Sequence, residues 1–536
     1  MAQAEYGASR KFAIYVLVVL TLVYAISFID RQILAILAID VRADLGIDNA
    51  SLGFLYGTAF AVFYSTFGIP IGRLADNWNR VYLLALGLAL WSLMTCLAGL
   101  SSTFAMLAIA RIGVGIGEAT CSPASVSLLS DYYPLRRRAT AMSVYASGLY
   151  LGTGLSLLIG GFVSSRWNEA FEAGGAPLDL VGWQATFLAV GIPGLLLIPF
   201  ILIIREPLRR TGAEAASARA AGPAFKAFGK DLLAIVPPFT LVSASRYRGG
   251  LRANLFLLAG VVAGCGTLSV LTGDRAQWAA FGTGVYAVGS WIQTLKSRDP
   301  FAFWSIWGRT PIVLMILAFG TITFMQYATL FFAPTYAIET FYGASDGSAS
   351  LLGGLSASEE VGLLIGLAAS VGASIGVLLG GLLADWWRGR NPAGRVYTVA
   401  ASIALSTPPM LLAFSADDTV SFFVWLCLAI SLNSAWSGAG VAALQDAVPP
   451  QMRASASATF LLSLTMVGLA LGPYFAGKVA TVTADLRLGV LSVYVALPLT
   501  LFLLWRVSKV IGRVEEEALN VSARDFLTSP TSSKTA

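Results

Sequence analysis

Fourteen segments of this sequence are long and apolar enough to cross a bilayer: 12–38, 51–74, 81–100, 103–130, 139–165, 182–204, 252–272, 277–295, 310–336, 361–384, 395–414, 420–445, 454–477 and 488–510. A spanning helix needs about 20 mostly apolar residues. Inside hydrocarbon only helices and closed barrels satisfy their own backbone groups. The expected fold is therefore an all-α polytopic membrane protein. Of the 536 residues, 57% are hydrophobic and only 12% charged, roughly half the charged share of a soluble domain. A soluble enzyme, a disordered chain and a nucleic-acid binder are excluded. There is no histidine, so no catalytic triad and no His-ligated metal is available. The four cysteines (Cys96, Cys121, Cys265, Cys427) are far apart within apolar runs and suggest neither a disulfide framework nor a metal cluster.

The placement of Lys and Arg gives the expected orientation. With the N-terminus in the cytoplasm, 28 of the 35 basic residues fall on cytoplasmic segments and five outside, leaving Arg31 and Arg111 within the membrane. Both termini are then cytoplasmic, in what reads as a bacterial inner membrane. The first segment is not a cleavable signal: it is too long, carries Asp30 and Arg31, and has no small-residue cleavage site.

Two motifs recur about 310 residues apart. Gly72-Arg-Leu-Ala-Asp76 follows the second segment and Gly381-Leu-Leu-Ala-Asp385 the tenth. Asp131-Tyr-Tyr-Pro134 with Arg138 matches Asp446-Ala-Val-Pro449 with Arg453 at the same spacing. Two homologous six-helix halves explain both, and such repeats place a substrate site between the halves near the midplane. The expected organisation is a cytoplasmic N-terminus (1–11), an N-terminal bundle (12–204), a basic cytoplasmic linker carrying an inserted two-helix hairpin (205–309, the hairpin about 252–295), a C-terminal bundle (310–512) and a cytoplasmic tail (513–536). The hairpin turns at Gly273-Asp-Arg275 and reads as a peripheral insertion.

Charges inside a bilayer are costly and mark function. Four are expected there, all in the first half: Asp30, Arg31, Arg111 and Glu118. At 1.5 Å rise per residue, Asp30 and Arg111 lie at matching depth, roughly 12–14 Å from the outer surface, and can pair if their helices touch. Glu118 is two turns further in on the Arg111 face. Tyr24 and Ser27 extend the polar face of the first helix. These groups suit proton coupling, because burial raises a carboxylate's proton affinity and a guanidinium lowers it. A fixed structural salt bridge is the alternative. Tyr145, Gln326, Tyr327, Asn433 and Trp436 are further candidates for the substrate cavity; the second half is expected to hold no buried charge. At the cytoplasmic end Gly72, Asp76, Arg80, Asp131, Arg138, Asp385, Arg390, Asp446 and Arg453 are candidate gate residues.

The repeated Gly-x-Leu-Ala-Asp loops resemble those of the major facilitator superfamily, and the resemblance covers the chain except the hairpin, linker and tail. The first copy departs from the pattern, with Asn77-Trp78-Asn79 where a basic residue and a glycine are usual. Asp30-Arg31, Arg111-Ile-Gly-Val-Gly-Ile-Gly-Glu-Ala119, Ser122-Pro-Ala124 and Asp131-Tyr-Tyr-Pro134 together resemble the Spinster-like branch, whose members include lysophospholipid and sphingosine-phosphate exporters. That resemblance implies a coupling and substrate site at Asp30, Arg31, Arg111 and Glu118.

The sequence thus points to a secondary active transporter working by alternating access. Its coupling ion would be the proton, with no other cofactor, and its substrate an amphipathic or anionic, lysolipid-like molecule. A carrier of small organic anions, of the anion:cation symporter type, is the alternative, since that branch shares the Asp-Arg and Arg…Glu-Ala elements. The expected partners are the substrate and the lipid bilayer, with a monomer as the working unit. An ATP-driven pump is excluded by the lack of a phosphate-binding loop, and a lipid-modifying enzyme by the lack of a nucleophile or metal set.

Overall fold

The computed structural model describes residues 9–207, 221–247, 249–343, 350–449 and 452–520. The expected linker residues 208–220 and the tail beyond 520 lie outside them. Among the described residues all regular structure is helical. Fourteen long helices coincide with the apolar segments: α1 Arg10–Ile36, α2 Asn49–Asn77, α3 Arg80–Ala98, α4 Phe104–Tyr132, α5 Leu135–Ala170, α6 Gly182–Leu202, α7 Gly250–Thr272, α8 Arg275–Arg298, α9 Thr310–Phe341, α10 Ala357–Arg388, α11 Gly394–Ala413, α12 Thr419–Asp446, α13 Ser455–Thr483 and α14 Leu486–Ser508. The polar residues between them act as caps. Backbone amides at the helix starts donate to Asp48 (α2), Asn79 (α3), Thr103 (α4), Asp418 (α12) and Asp485 (α14), satisfying donors that a helix start leaves open. Lipid-facing stripes are plain in the exposure pattern: Leu86, Leu90, Leu93 and Leu97 run down one open face of α3.

Helices α1–α6 form one bundle and α9–α14 the other, packed along two seams, α2 on α13 and α5 on α10. Close backbone approach makes both seams. A side chain at Gly57 would place its first carbon 2.2 Å from the Leu469 carbonyl oxygen, and Gly154 packs on the Gly366 backbone. Three seam helices carry a π-helical turn: Phe54–Thr58 in α2, Ala368–Gly372 in α10 and Leu464–Leu469 in α13. Such turns displace backbone carbonyls and gather at working sites.

The two ends of the seams differ. At the end remote from the Arg80 loop, ion pairs join the halves: Arg166 Nε to Glu359 Oε1 at 2.7 Å, and Arg42 with Glu339. The Ser356 hydroxyl also meets Ser165 at 2.8 Å. At the basic end, among the described residues, no ion pair crosses between the halves. The helices part there: a side chain added at Gly68 or Gly72 of α2, or at Gly381 of α10, would meet no atom within 4 Å. The molecule is closed at the Arg166 end and parted at the basic end.

Two expectations are corrected. The second half does bury charge: Glu359 and Glu360 are almost wholly enclosed, because α10 starts at Ala357, four residues before the apolar run. Glu359 closes a capping box with Ser356, and Glu360 accepts from the Ser350 hydroxyl and the Leu351 amide. The hairpin is also only half peripheral. Thirteen of the helices are long and apolar enough to cross a membrane; α8 is the exception. Helix α7 faces outward, with Asn254 its one buried residue. Helix α8 buries a face containing Gln277, Gly284, Ala287 and Thr294, wedged between Val62 of α2 and Met466 of α13 at Gly284. Protein packing replaces lipid on that face, which is why α8 is less apolar. Its start is tied to both halves: the Thr58 hydroxyl donates to Gln277 (2.7 Å), while Asp274 accepts from Tyr474 (2.7 Å) and pairs with Lys478 (2.8 Å).

Cutting both cross-half ion pairs, with Arg42→Gln and Arg166→Gln together, is expected to loosen the closed end. On a background lacking Cys96, Cys121, Cys265 and Cys427, a membrane-impermeant maleimide should label Ser358→Cys several-fold faster in the cut variant. Equal labelling rates would show that these pairs do not hold the end shut.

Candidate functional site

The embedded charges are brought together where α1, α2, α3 and α4 meet. Helix α4 enters this space through its glycines: at Gly115 a side chain would press within 2.5 Å of the Phe60 carbonyl oxygen of α2, and at Gly117 within 2.8 Å of Trp91 of α3. The helix breaks at Ala119–Thr120, directly after Glu118.

Arg31 Nη2 pairs with Glu118 Oε2 at 2.7 Å, and both residues are buried. The Arg31 guanidinium lies 4.6 Å from the Phe28 and Phe60 ring centres and 5.1 Å from that of Tyr64, a weakly hydrated cation held by aromatic faces. It also faces Tyr327 of α9, in the other half. Glu118 Oε1 and Arg31 Nε have no hydrogen-bond partner. The expected Arg111–Asp30 side-chain pair does not form. Arg111 instead donates to three backbone carbonyls: Asp30 (3.0 Å), Arg31 (3.4 Å) and Leu55 (3.3 Å) in the π-helical turn of α2. Its five-donor fork suits such a backbone anchor better than a single carboxylate. The matching depth of Asp30 and Arg111 is as expected, but the Asp30 carboxylate turns toward Trp91 and Thr95 of α3. It is fully buried, with neither oxygen hydrogen-bonded, and the Thr95 hydroxyl is already spent on the Trp91 carbonyl.

Of the four charges, Arg31 thus faces the second half, while Asp30, Arg111 and Glu118 are held among helices of the first bundle. Together they sum to zero. Charge attraction alone does not repay the burial of this pair. Two unit charges about 4 Å apart attract by about 4 kcal/mol at an effective dielectric of about 20, while removing each ion from water costs several kcal/mol.

The expected cavity residues divide. Tyr24 stacks on Tyr145 with ring centres 4.4 Å apart, beside Arg31. Gln326 and Tyr327 are half-buried on α9. Asn433 is nearly enclosed, with Oδ1 unbonded. Ser27 is buried and its hydroxyl is spent on the Tyr24 carbonyl. Trp436 packs against Phe319 inside the second bundle; both are packing residues. Tyr64 and Phe60, which complete the aromatic surround, had no distinguishing pattern. Gln32 is a further polar group here, accepting from Tyr56 (2.6 Å), whose ring stacks on Phe331 of the other half. Among the described residues no three Cys, Asp or Glu side chains converge to hold a metal ion.

At the basic end the repeat is structural as well as sequential, but its contacts stay inside each half. Arg80 binds Asp131 at 2.6 Å and Glu206 at 2.7 Å. In the second half Arg395 binds Asp446, and Asp385 at 3.1 Å, while Arg388 binds Glu515 of the tail helix Ile511–Asn520. Arg138 and Arg453 each reach back eight residues, to the carbonyls of Ser130 and Gln445. Arg390 is corrected: it lies over Trp386 and donates to that residue's carbonyl. Arg395, at the start of α11 as Arg80 is at the start of α3, is the true counterpart. Burial pushes the Glu515 carboxyl above its ordinary range, opposed by the Arg388 charge.

This repeated architecture agrees with the comparisons. The Major Facilitator Superfamily profile matches residues 20–473. The chain belongs to the major facilitator superfamily. Members of the superfamily are membrane transporters of small molecules, not enzymes. An MFS-type efflux pump of Mycolicibacterium smegmatis is 28% identical over 332 residues, covering 60% of this chain and 73% of the pump. Protein spinster of Drosophila melanogaster is 29% identical over 203 residues, 38% of this chain and 31% of that protein. A probable L-galactonate transporter of Escherichia coli is 27% identical over 172 residues, 32% of this chain and 35% of the relative. Among solved structures, an inward-facing, occupied bacterial homologue of the human lysosomal transporter Spinster superposes with a TM-score of 0.65 at 23% identity, over 94% of this chain and 98% of that one. A peptide transporter, in a mutant form in complex with alafosfalin, superposes with a TM-score of 0.61 at 12% identity over 96% of both chains.

Removing one member of the buried pair should be far worse than removing both charges. Arg31→Met, which leaves Glu118 enclosed and unpaired, is expected to cost about 3–5 kcal/mol of stability, read as a lowered thermal unfolding midpoint. Adding Glu118→Gln should restore most of that midpoint while transport stays absent. A double variant as unstable as the single would show that the pair is not the stabilising unit.

Proposed function

We propose that this chain is a proton-coupled secondary transporter working by alternating access, and that it moves an amphipathic anion of the lysolipid kind as a monomer. Its basic end and both termini face the cytoplasm of a bacterial inner membrane. The Arg31–Glu118 pair carries the reading. Among the described residues it is the buried ion pair whose cation also faces the other half, and its attraction does not exceed the cost of burying its two ions, so a competing anion can replace one of them. An anionic headgroup arriving between the halves competes with Glu118 for the Arg31 guanidinium, which offers a two-pronged fork to carboxylate or phosphate oxygens. Displaced from Arg31 into an aromatic surround, with only the backbone-bound Arg111 left as a neighbouring cation, Glu118 takes up a proton. Asp30, enclosed and unbonded, is a second proton acceptor that feels the same event through Arg111, whose donors grip the Asp30 and Arg31 carbonyls. Arg111 is thereby a positioning residue.

The asymmetry of the halves supports a tailed substrate: charge lies on the α1/α4 side, while Tyr327 and Phe331 of α9 face it with rings. The parted basic end and the ion-paired opposite end fit one state of the cycle, open to the cytoplasm. The basic clusters at Arg80 and at Arg388/Arg395 act in it as gate-end braces that keep each half rigid. A carrier of small organic anions is the second reading, favoured by the similarity to a probable L-galactonate transporter.

In proteoliposomes with an imposed proton gradient, driven uptake should vanish in Glu118→Gln and in Asp30→Asn, while Asp30→Asn retains gradient-free exchange. Proton dependence unchanged in both variants would remove the coupling scheme. A labelled lysophospholipid and a six-carbon sugar acid, offered in parallel, distinguish the two substrate readings: transport of the sugar acid with the lysolipid inert would replace the first by the second.

A further inference from the structure

We propose that the chain carries a second anion site, remote from the central pair, that binds a phosphate group between α2, the linker and the hairpin. The linker helix Ala221–Ile235 packs on the basic end of α2, its Phe228 joining Ile71, Leu74 and Ala75 and its Phe225 set edge-on to Trp78. Between this helix, α2 and the end of α8 lies a cavity of about 390 Å³ lined by Arg73, Lys230, Arg298, Asn77 and Asp231. Two of the three cations share the one carboxylate. Asp231 Oδ1 accepts from Arg73 Nη1 at 2.8 Å and lies 3.5 Å from Arg298 Nη1. Lys230 makes no ion pair among the described residues. The cavity therefore holds two uncompensated positive charges. The Arg73 side chain is 46% exposed and that of Arg298 38%, so their remaining donors are open to a ligand.

This is the electrostatic and hydrogen-bonding demand that a phosphate meets, with guanidinium forks and an ammonium converging from three segments. Beside the cations Ile69, Ala234, Trp291 and Leu295 close the site with an apolar wall that leaves only about 10 Å³ of space. The repeat gives an internal comparison. Where the first motif has Arg73, the second has Leu382, which is 70% exposed and has no linker helix beside it. The arginine occurs where the linker docks. A phosphate here bridges α2, a seam helix, to the linker and hairpin. The chemistry is shared by an anionic lipid headgroup of the adjoining leaflet and by a soluble phosphate.

The test uses the full chain in nanodiscs of phosphatidylcholine, following its thermal midpoint while phosphatidylglycerol is added to the disc or inorganic phosphate to the buffer. At least one probe should raise the midpoint of the wild type. Lys230→Gln removes a cation without touching the Arg73–Asp231 pair, and should weaken that response about fivefold in concentration. Asp231→Asn removes the competing carboxylate and should strengthen it by a similar factor. A response to phosphatidylglycerol alone identifies a lipid headgroup, and one to inorganic phosphate alone a soluble ligand; either supports the site. No response to either probe, or identical responses in the wild type, Lys230→Gln and Asp231→Asn, overturns it. Because neither variant touches Arg31 or Glu118, failure here leaves the transport reading standing.

Discussion

An ion in hydrocarbon must be neutralised where it stands, and the arrangement of α1, α2 and α4 follows from that demand on Arg31. Its pairing with Glu118 needs α4 close enough to deliver a short carboxylate, hence the run of glycines that lets α4 sink between Phe60 and Trp91. It also needs α1 held at a fixed rotation, which the three carbonyl bonds of Arg111 provide. The π-helical turn that presents the Leu55 carbonyl belongs to the same α2 that lies on α13. The charge site and the packing between the halves are therefore mechanically continuous: a shift of α2 against α13 is felt at Arg111 through one hydrogen bond.

The two ends of the molecule use similar residues to opposite effect. Arg166–Glu359 and Arg42–Glu339 connect the halves, whereas Arg80–Asp131–Glu206 and the Arg388/Arg395 cluster each close within one half. Exposed ion pairs contribute little on their own. Here their value is in where they act: pairs across a seam bias a conformation, and pairs inside a bundle stiffen it for movement as one body.

Much of this was legible in the sequence. The spans, the repeat and the four charges of the first half follow from apolar run lengths and motif spacing, and helical rise gave the common depth of Asp30 and Arg111. Rise per residue says nothing of rotation about the axis, however. Whether Arg111 meets a carboxylate or a carbonyl depends on how α4 seats on α2 and α3, and the π-helical turn that settles it has no reliable sequence signature. The motif names Arg390 because it lies in the basic run after Asp385; the start of α11, which places Arg395 opposite Asp446, is set by packing. Glu359 and Glu360 were missed by drawing α10 from its apolar run, although Ser356 three residues before Glu359 is a visible capping signal. The protein-facing side of α8 was hidden because small residues such as Gly284 and Ala287 read alike against lipid or protein.

That wedge has a further consequence. The start of helix α8 is fastened to Thr58 on one bundle and, through Asp274, to Tyr474 and Lys478 on the other, on the side where α2 meets α13. Among the described residues no inserted helix bridges the α5/α10 edge; there the Arg166–Glu359 pair and the Ser165–Ser356 contact join the halves directly. Separation of the two bundles at their ion-paired end must therefore break contacts to an inserted helix along one edge and direct contacts between the halves along the other.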